Sequence, residues 1–224
     1  TVQQRSGLTS NSSQSGHYNP YAALPRMVMM TYQLPESIRE IAVQGEFNEE
    51  GAHMNLLILG AGEYGQLVKE LARNKYTTID FLDDKSDVAI GKLEDYKNYV
   101  GKYETVVAIG NNDMRMTWLE KLEEAGFTIP TLISPQAYVS PSAVIEQGCI
   151  VEPMAVINAN AKVEKGSIIS AGAVVNHNAV VKQGCHIDCN AVVGVDAVVP
   201  KKMHLNYGQV MTKVTKPENW EFSE

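Results

Sequence analysis

From Thr131 to about Val214 an apolar residue returns at every sixth position. Counted from Ala137, the hexads read AYVSPS, AVIEQG, CIVEPM, AVINAN, AKVEKG, SIISAG, AVVNHN, AVVKQG, CHIDCN, AVVGVD and AVVPKK. Their third position holds Val139, Ile145, Val151, Ile157, Val163, Ile169, Val175, Val181, Ile187, Val193 and Val199, every one β-branched. Their first position holds only Ala, Cys or Ser. β-Branched side chains suit a buried pleated surface, and small ones suit a corner where the chain turns inward. Self-similarity at a fixed short period predicts a parallel β-helix. With three hexads per coil, residues 18 apart stack at the strand spacing of ~4.8 Å, and each coil covers its neighbour's backbone hydrogen-bonding groups. A weaker hexad before (TLISPQ) and two after (MHLNYG, QVMTKV) keep Ile133, Leu205 and Met211 in phase.

Upstream the pattern changes. Asn55 to Leu59 is a short apolar run ending at Gly60, as a buried parallel strand does. Gln66 to Asn74 carries Leu67, Val68 and Leu71 at helical spacing. A second strand is predicted over Thr77–Leu82, a helix or loop over Lys92–Val100, and a third strand over Thr105–Ile109. A helix is predicted over Asp113–Ala125, capped by Asp113 and stopped by Gly126. Strands alternating with helices imply a small parallel sheet. The predicted organisation is an extension over 1–53, an α/β domain over 54–130, the β-helix over 131–214 and a tail over 215–224. The extension is rich in Ser, Gln, Asn and Gly up to Pro20, a composition expected to stay disordered. A short amphipathic helix is expected over Leu34–Phe47, and Met54 marks the expected start of the functional part. Trp220 and Phe222 in the tail are candidates to cover the last coil.

Composition narrows the classes. With 44% hydrophobic and 20% charged residues the chain reads as globular, and its net charge of −7 argues against a nucleic-acid partner. No apolar run approaches the roughly 18 residues of a membrane span, and no signal peptide is visible at the start. Three cysteines without scaffold spacing favour a reducing compartment, so a cytoplasmic location is expected. Cys149 and Cys185 take the small first slot of their hexads and read as structural.

Two places carry candidate chemistry. Gly60, Gly62 and Gly65 lie between a strand and a helix, where glycines permit close backbone approach and the helix N-terminus favours a phosphate. Asp83 ends the next strand, where an acid can hold a ribose hydroxyl. At 77 residues the segment is roughly half of a full dinucleotide unit, so the expectation is a mononucleotide-scale site, against tight glycine packing with no ligand. Asn111 and Asn112 could line the same crevice. The second place is His177, in the turn of AVVNHN and therefore outside the core. An imidazole is the usual general base near neutral pH. His186, nine residues on, faces outward on what the spacing reads as a neighbouring coil. His204, a further 18 residues on, should stack on His186. Stacked imidazoles raise the question of a metal, but the HxxxxH spacing of the hexapeptide-repeat zinc hydratases is missing. No metal is expected.

In the order GAGxxG (Gly60–Gly65), FLDD (Phe81–Asp84), AIGNN (Ala108–Asn112), LISPxAxVSPSA (Leu132–Ala143) and the His177–His186 pair, the chain resembles a known family. These are the bacterial hexapeptide-repeat acyltransferases that include the sialic acid O-acetyltransferases and the UDP-4-amino-sugar N-acetyltransferase of bacillosamine biosynthesis. The resemblance covers residues 54 to about 200. It implies a small Rossmann-like domain followed by a left-handed parallel β-helix, assembled as a homotrimer with sites between neighbouring helices. It implies an acetyltransferase acting on a nucleotide-linked sugar of the UDP-sugar type, with acetyl-CoA as co-substrate. By motif, Gly62, Glu63 and Tyr64 match the loop for the acceptor's phosphate and uridine. Asp83 and Asp84 match its acidic pair, and Gly110 matches the glycine near the sugar. His177 matches the general base and His186 the imidazole near the acetyl thioester. The chain departs from the bacillosamine-pathway enzyme at Asn178, where that enzyme has glutamate, and at Ser170, where it has asparagine. It is shorter by about a coil after His186 and lacks a GxPAK-like ending. Lys201 and Lys202 are its clustered basic candidates for CoA phosphates. A trimeric nucleotide-sugar-binding protein without catalysis is the alternative.

Overall fold

The apolar run Asn55–Leu59 (β1) forms the centre of a three-stranded sheet because both of its faces are covered. β1 lies between Thr78–Leu82 (β2) and Glu104–Val107 (β3), parallel to each, in the order β2-β1-β3. The computed structural model describes residues 54–213. The extension over 1–53, its expected helix and the expected cap at 215–224 lie outside them. Leu56 and Ile58 face the helix Glu63–Ala72 (α1), packing with Val68 and Ala72. Leu57 and Leu59 face the other way, toward a 3-10 helix at Leu93–Tyr99 and the helix Asn112–Glu124 (α2). The N-cap of α2 is Asn111, whose side chain accepts the Met114 N–H at 2.9 Å. Asp113 sits inside the first turn instead. An extended backbone at Asn111 leaves its short amide aimed at the free N–H groups, which a residue already inside the helix cannot do.

The repeat folds as fourteen two-residue strands in three parallel sheets of five, five and four. Register is by 18 throughout, as in Ile168 with His186 and Ile169 with Ile187. The first sheet carries Leu132–Ile133, Ile150–Val151, Ile168–Ile169, His186–Ile187 and His204–Leu205. The second runs from Tyr138–Val139 to Val210–Met211, and the third from Val144–Ile145 to Val198–Val199. Third-position residues fill the interior with the small first-position residues between them. The column opens at its start, where Ile133 is 43% exposed. Corners turn on left-handed backbone at the sixth position, including Gly148, Asn160, Gly166, Asn178, Gly184, Asp196 and Lys202. Gly, Asn and Asp tolerate that conformation best.

Two devices seat the α/β part on the repeat. Leu132, Ile150 and Ile168, second-position residues of the first sheet, point out of the β-helix and into the apolar cluster of β1 and α1. Beside them α2 lies across one corner, where Gly148, Gly166 and Gly184 stack. A Cβ at Gly166 would stand 2.8 Å from Met116 Sδ and 2.9 Å from Leu119 Cδ2. Gly166→Ala is expected to cost about 1–3 kcal/mol, combining a left-handed backbone with overpacking. Chemical denaturation measures it; an unchanged midpoint would show that α2 has room to yield.

Candidate functional site

The glycines of the first loop divide by what requires them. Gly60 has φ +102° and a Cβ there would stand 2.9 Å from Ala108 O. A Cβ at Gly65 would stand 2.1 Å from Gly60 O, so α1 crosses β1 too closely for any side chain. Gly62 and Gly110 differ: neither has positive φ, and a Cβ at either meets nothing within 4 Å. They follow β1 and β3, at the carboxyl edge of the sheet where the strand order reverses. Ligands of open parallel sheets bind in that crevice. Packing explains two of the glycines, and open space beside the crevice adjoins the other two.

The acidic pair is engaged by the backbone. Asp83 Oδ2 accepts Ala61 N–H at 2.9 Å, and Oδ1 accepts Lys85 and Ser86 N–H at 2.8 and 3.1 Å. These bonds, Ala61's foremost, hold its carboxyl below the ordinary range. Asp83 thus clamps the Gly60–Gly62 loop to the end of β2. Asp84 Oδ1 accepts Leu93 N–H at 3.1 Å, and its side chain is otherwise open. Glu63 is exposed at the start of α1. Tyr64 turns inward: its hydroxyl is buried, and burial first, then Glu152 beside it, holds it protonated. The contact with Glu152 falls outside hydrogen-bond geometry.

His177 is exposed at the corner between the second and third sheets. Asn176 fixes its ring. The Asn176 side-chain atom at 2.8 Å from the His177 backbone N–H must be the oxygen, since that partner can only donate. The same Oδ1 lies 2.9 Å from His177 Nδ1, which therefore carries the ring proton. In the neutral ring that tautomer leaves the lone pair on Nε2. Asn178 is a left-handed corner residue in a ladder: Asn160 donates to it at 3.4 Å, and it donates to Asp196 at 3.1 Å.

His186 lies on the first sheet, continuing the row Leu132, Ile150, Ile168 beyond the apolar contact. Its ring stacks on His204 at 4.5 Å and 8°, matching the 18-residue spacing. Its Nε2 is 3.0 Å from Ser170 Oγ. Burial, and then His204, push its pKa down to about 4, so the ring is neutral near physiological pH. His204 Nε2 bonds Asp188 Oδ2 at 3.0 Å, and these donor atoms with His186 lie within 4.8 Å of one another. Parallel rings send their in-plane lone pairs side by side rather than to one point, so this arrangement is hydrogen-bonded rather than chelating. His177 and His186 are not neighbours. Nine residues are half a coil, and the corner bearing His177 is opposite the sheet bearing His186.

Arg115 is the residue that sequence reasoning missed. It is 1% exposed, and among the described residues no carboxylate pairs with it. Nε donates to Gly166 O at 2.8 Å; Nη1 to Ile109 O and Gly110 O at 2.9 and 3.2 Å; Nη2 to Gly184 O and Cys185 O at 2.9 and 3.1 Å. Asn112 Oδ1 accepts from Nη2 at 2.8 Å. Burial lowers its pKa to about 10, leaving it a cation. It holds the Gly110 loop against the β-helix.

Residues 55–122 match the family described as the PglD N-terminal domain. The UDP-N-acetylbacillosamine N-acetyltransferase of Bacillus subtilis is 32% identical over 109 residues, which are 43% of this chain and 50% of that relative. The chain spans about half the length of that curated relative. Among solved structures, the acetyltransferase domain of PglB from Neisseria gonorrhoeae, in complex with acetyl coenzyme A, is 29% identical with a TM-score of 0.62. The match covers 72% of this chain and 89% of that one. A histidine-to-asparagine mutant of perosamine N-acetyltransferase from Caulobacter crescentus, in complex with CoA and GDP-perosamine, is 23% identical with a TM-score of 0.65. Here 72% of this chain and 90% of that one are covered, and the likeness is one of fold. The chain has the architecture of the hexapeptide-repeat sugar acetyltransferases, a small α/β domain followed by a left-handed β-helix. No described helix is long and apolar enough to cross a membrane.

Proposed function

We propose that this chain, built on the plan of the sugar acetyltransferases, moves an acetyl group from acetyl-CoA to an amine or hydroxyl of a nucleotide-linked sugar. The observation that carries the reading is the His177 ring on an exposed corner, its Nδ1 held by Asn176 so that Nε2 is the nitrogen left for an acceptor. Nε2 takes the proton of the acceptor N–H or O–H as that atom attacks the thioester carbonyl. The C–S bond then breaks, CoA leaves as thiolate, and the proton on His177 neutralises it. No acyl-enzyme is required, because holding both substrates in one groove supplies much of the rate. His186 faces the acetyl group, and Gly62 and Gly110 admit the acceptor's phosphates and sugar, with Glu63 and Asp84 at the rim. The acceptor class, UDP-sugar or otherwise, belongs to this proposal. The comparison carrying acetyl-CoA is the 29%-identical domain solved with it.

The same reading makes the active unit a trimer. His177 and His186 lie on opposite sides of one β-helix, so a single site needs His177 from one copy and the His186 face from the next. The second and third sheets support this with exposed outward apolar residues, among them Tyr138, Val144, Val198 and Val210. Unpartnered faces of that kind mark interaction surfaces.

The test is acetyl transfer from acetyl-CoA to a panel of UDP- and GDP-linked amino and hydroxy sugars. Turnover with one class supports the reading; acceptor binding with neither turnover nor CoA binding favours the non-catalytic alternative. Co-refolding inactive His177→Ala and His186→Ala chains tests the shared site. After random mixing about a quarter of all sites, one in each mixed trimer, combine both intact groups, so activity should reappear on mixing. Continued inactivity of a verified mixed trimer rejects a site shared in this way.

A further inference from the structure

Glu152 is a buried carboxyl for which the transfer just described has no use. It occupies the corner after Ile150–Val151 and is 4% exposed. Its Oε2 accepts Ala171 N–H at 3.0 Å, and its Oε1 lies 3.4 Å from the Ser170 hydroxyl. That hydroxyl is 3.0 Å from His186 Nε2. A chain of polar groups therefore runs from one coil through the next to the imidazole on the third, close to Tyr64.

We propose that Glu152 is a positioning residue which, through Ser170, decides which nitrogen of His186 carries the proton. A hydroxyl has one proton to give. When Glu152 is ionised it can only accept, so Ser170 O–H donates to Oε1 and the Ser170 oxygen accepts from His186 Nε2–H. Nδ1 is then bare. When Glu152 is protonated, its O–H donates to Ser170, Ser170 donates to Nε2, and the ring carries its hydrogen on Nδ1. The imidazole is neutral in both states, yet the nitrogen left for substrate changes from acceptor to donor.

Burial raises the Glu152 pKa above the ordinary glutamate value, bringing the changeover toward neutral pH. Around this chain stand Tyr64 and Arg115 from the α/β part, and Asp188 and Cys189 from the next coil. His204 stacks on the ring and is anchored by Asp188. The consequence for catalysis rests on the transfer proposed above: only the Nδ1–H form can donate to a thioester oxygen.

The experiment is 15N NMR of the His186 ring in the full protein without substrates, across pH, in the native chain, Glu152→Gln and Ser170→Ala. In Glu152→Gln the amide oxygen must take Ala171 N–H, so its NH2 donates to Ser170 and Ser170 to Nε2. The ring should then be Nδ1–H at every pH above its own titration. The native chain should pass from Nδ1–H to Nε2–H as pH rises, and Ser170→Ala should lose that dependence. The same tautomer in the native chain and Glu152→Gln throughout overturns the proposal. If Glu152→Gln does not fold, a pH-dependent tautomer that survives in Ser170→Ala overturns it equally. The readout uses neither substrate, so its outcome is independent of whether transfer is detected.

Discussion

Replacing His177 with alanine is expected to lower kcat by roughly 10²- to 10⁴-fold, the range a positioned general base contributes. The melting temperature should stay where it is. The ring is exposed and, among the described residues, bonds only to the side chain of the residue before it, so its removal uncovers no core. KM for acetyl-CoA should change little, because the proton is taken from the acceptor. The informative measurement is steady-state kinetics on both substrates beside a thermal melt. Turnover at the native rate would reject His177 as the base. A lowered melting temperature would mean that the loss reflects folding.

Arg115→Leu should have the opposite signature. The guanidinium is the donor found for the carbonyls of Gly166 and Gly184, and it also caps Ile109 and Gly110. Each buried carbonyl left without a donor costs about 1–3 kcal/mol. A total of about 3 kcal/mol or more is expected, and a fall in melting temperature on the order of 10 °C. Because the β3-to-α2 loop is held by the same side chain, acceptor KM should rise alongside. Arg115→Lys keeps the charge but not the planar fork, and should recover only part of the loss. Calorimetry decides; a melt within about 2 °C of the native chain would mean that water replaces the guanidinium without penalty.

The β-helix was legible because its repeat is one-dimensional. A β-branched residue at every third hexad position and a small one at every first can satisfy only a stacked coil, and the observed register by 18 follows directly. The same arithmetic placed His204 on His186. It also invited the pairing of His177 with His186, which the structure separates, because nine residues are half of an eighteen-residue turn and end on the far side. The three sheets and their intervening corners show this; adjacency in sequence does not. Arg115 was illegible for a different reason. One charged residue among the polar positions of Asp113–Ala125 looks solvated, and only the approach of α2 to a corner of exposed carbonyls makes it interior. Asp83 was seen, but its two oxygens turn out to hold Ala61, Lys85 and Ser86. Glu152 carries no signal of its own in CIVEPM, since a hexad says which way a side chain points and not what covers it.

The stacked glycines under α2 also limit how this protein can change in length. Gly148, Gly166 and Gly184 leave a flush corner three coils tall, and at the fourth the left-handed position is Lys202, which reaches Asp113 at 3.0 Å and closes the end of the seat. Adding or deleting a coil inside that span would displace the Arg115 acceptors by one strand spacing and leave the helix without its berth. Coils added beyond Lys202 would disturb neither. Variation in the number of repeats should therefore accumulate at the distal end, so the rod can be extended in one direction only.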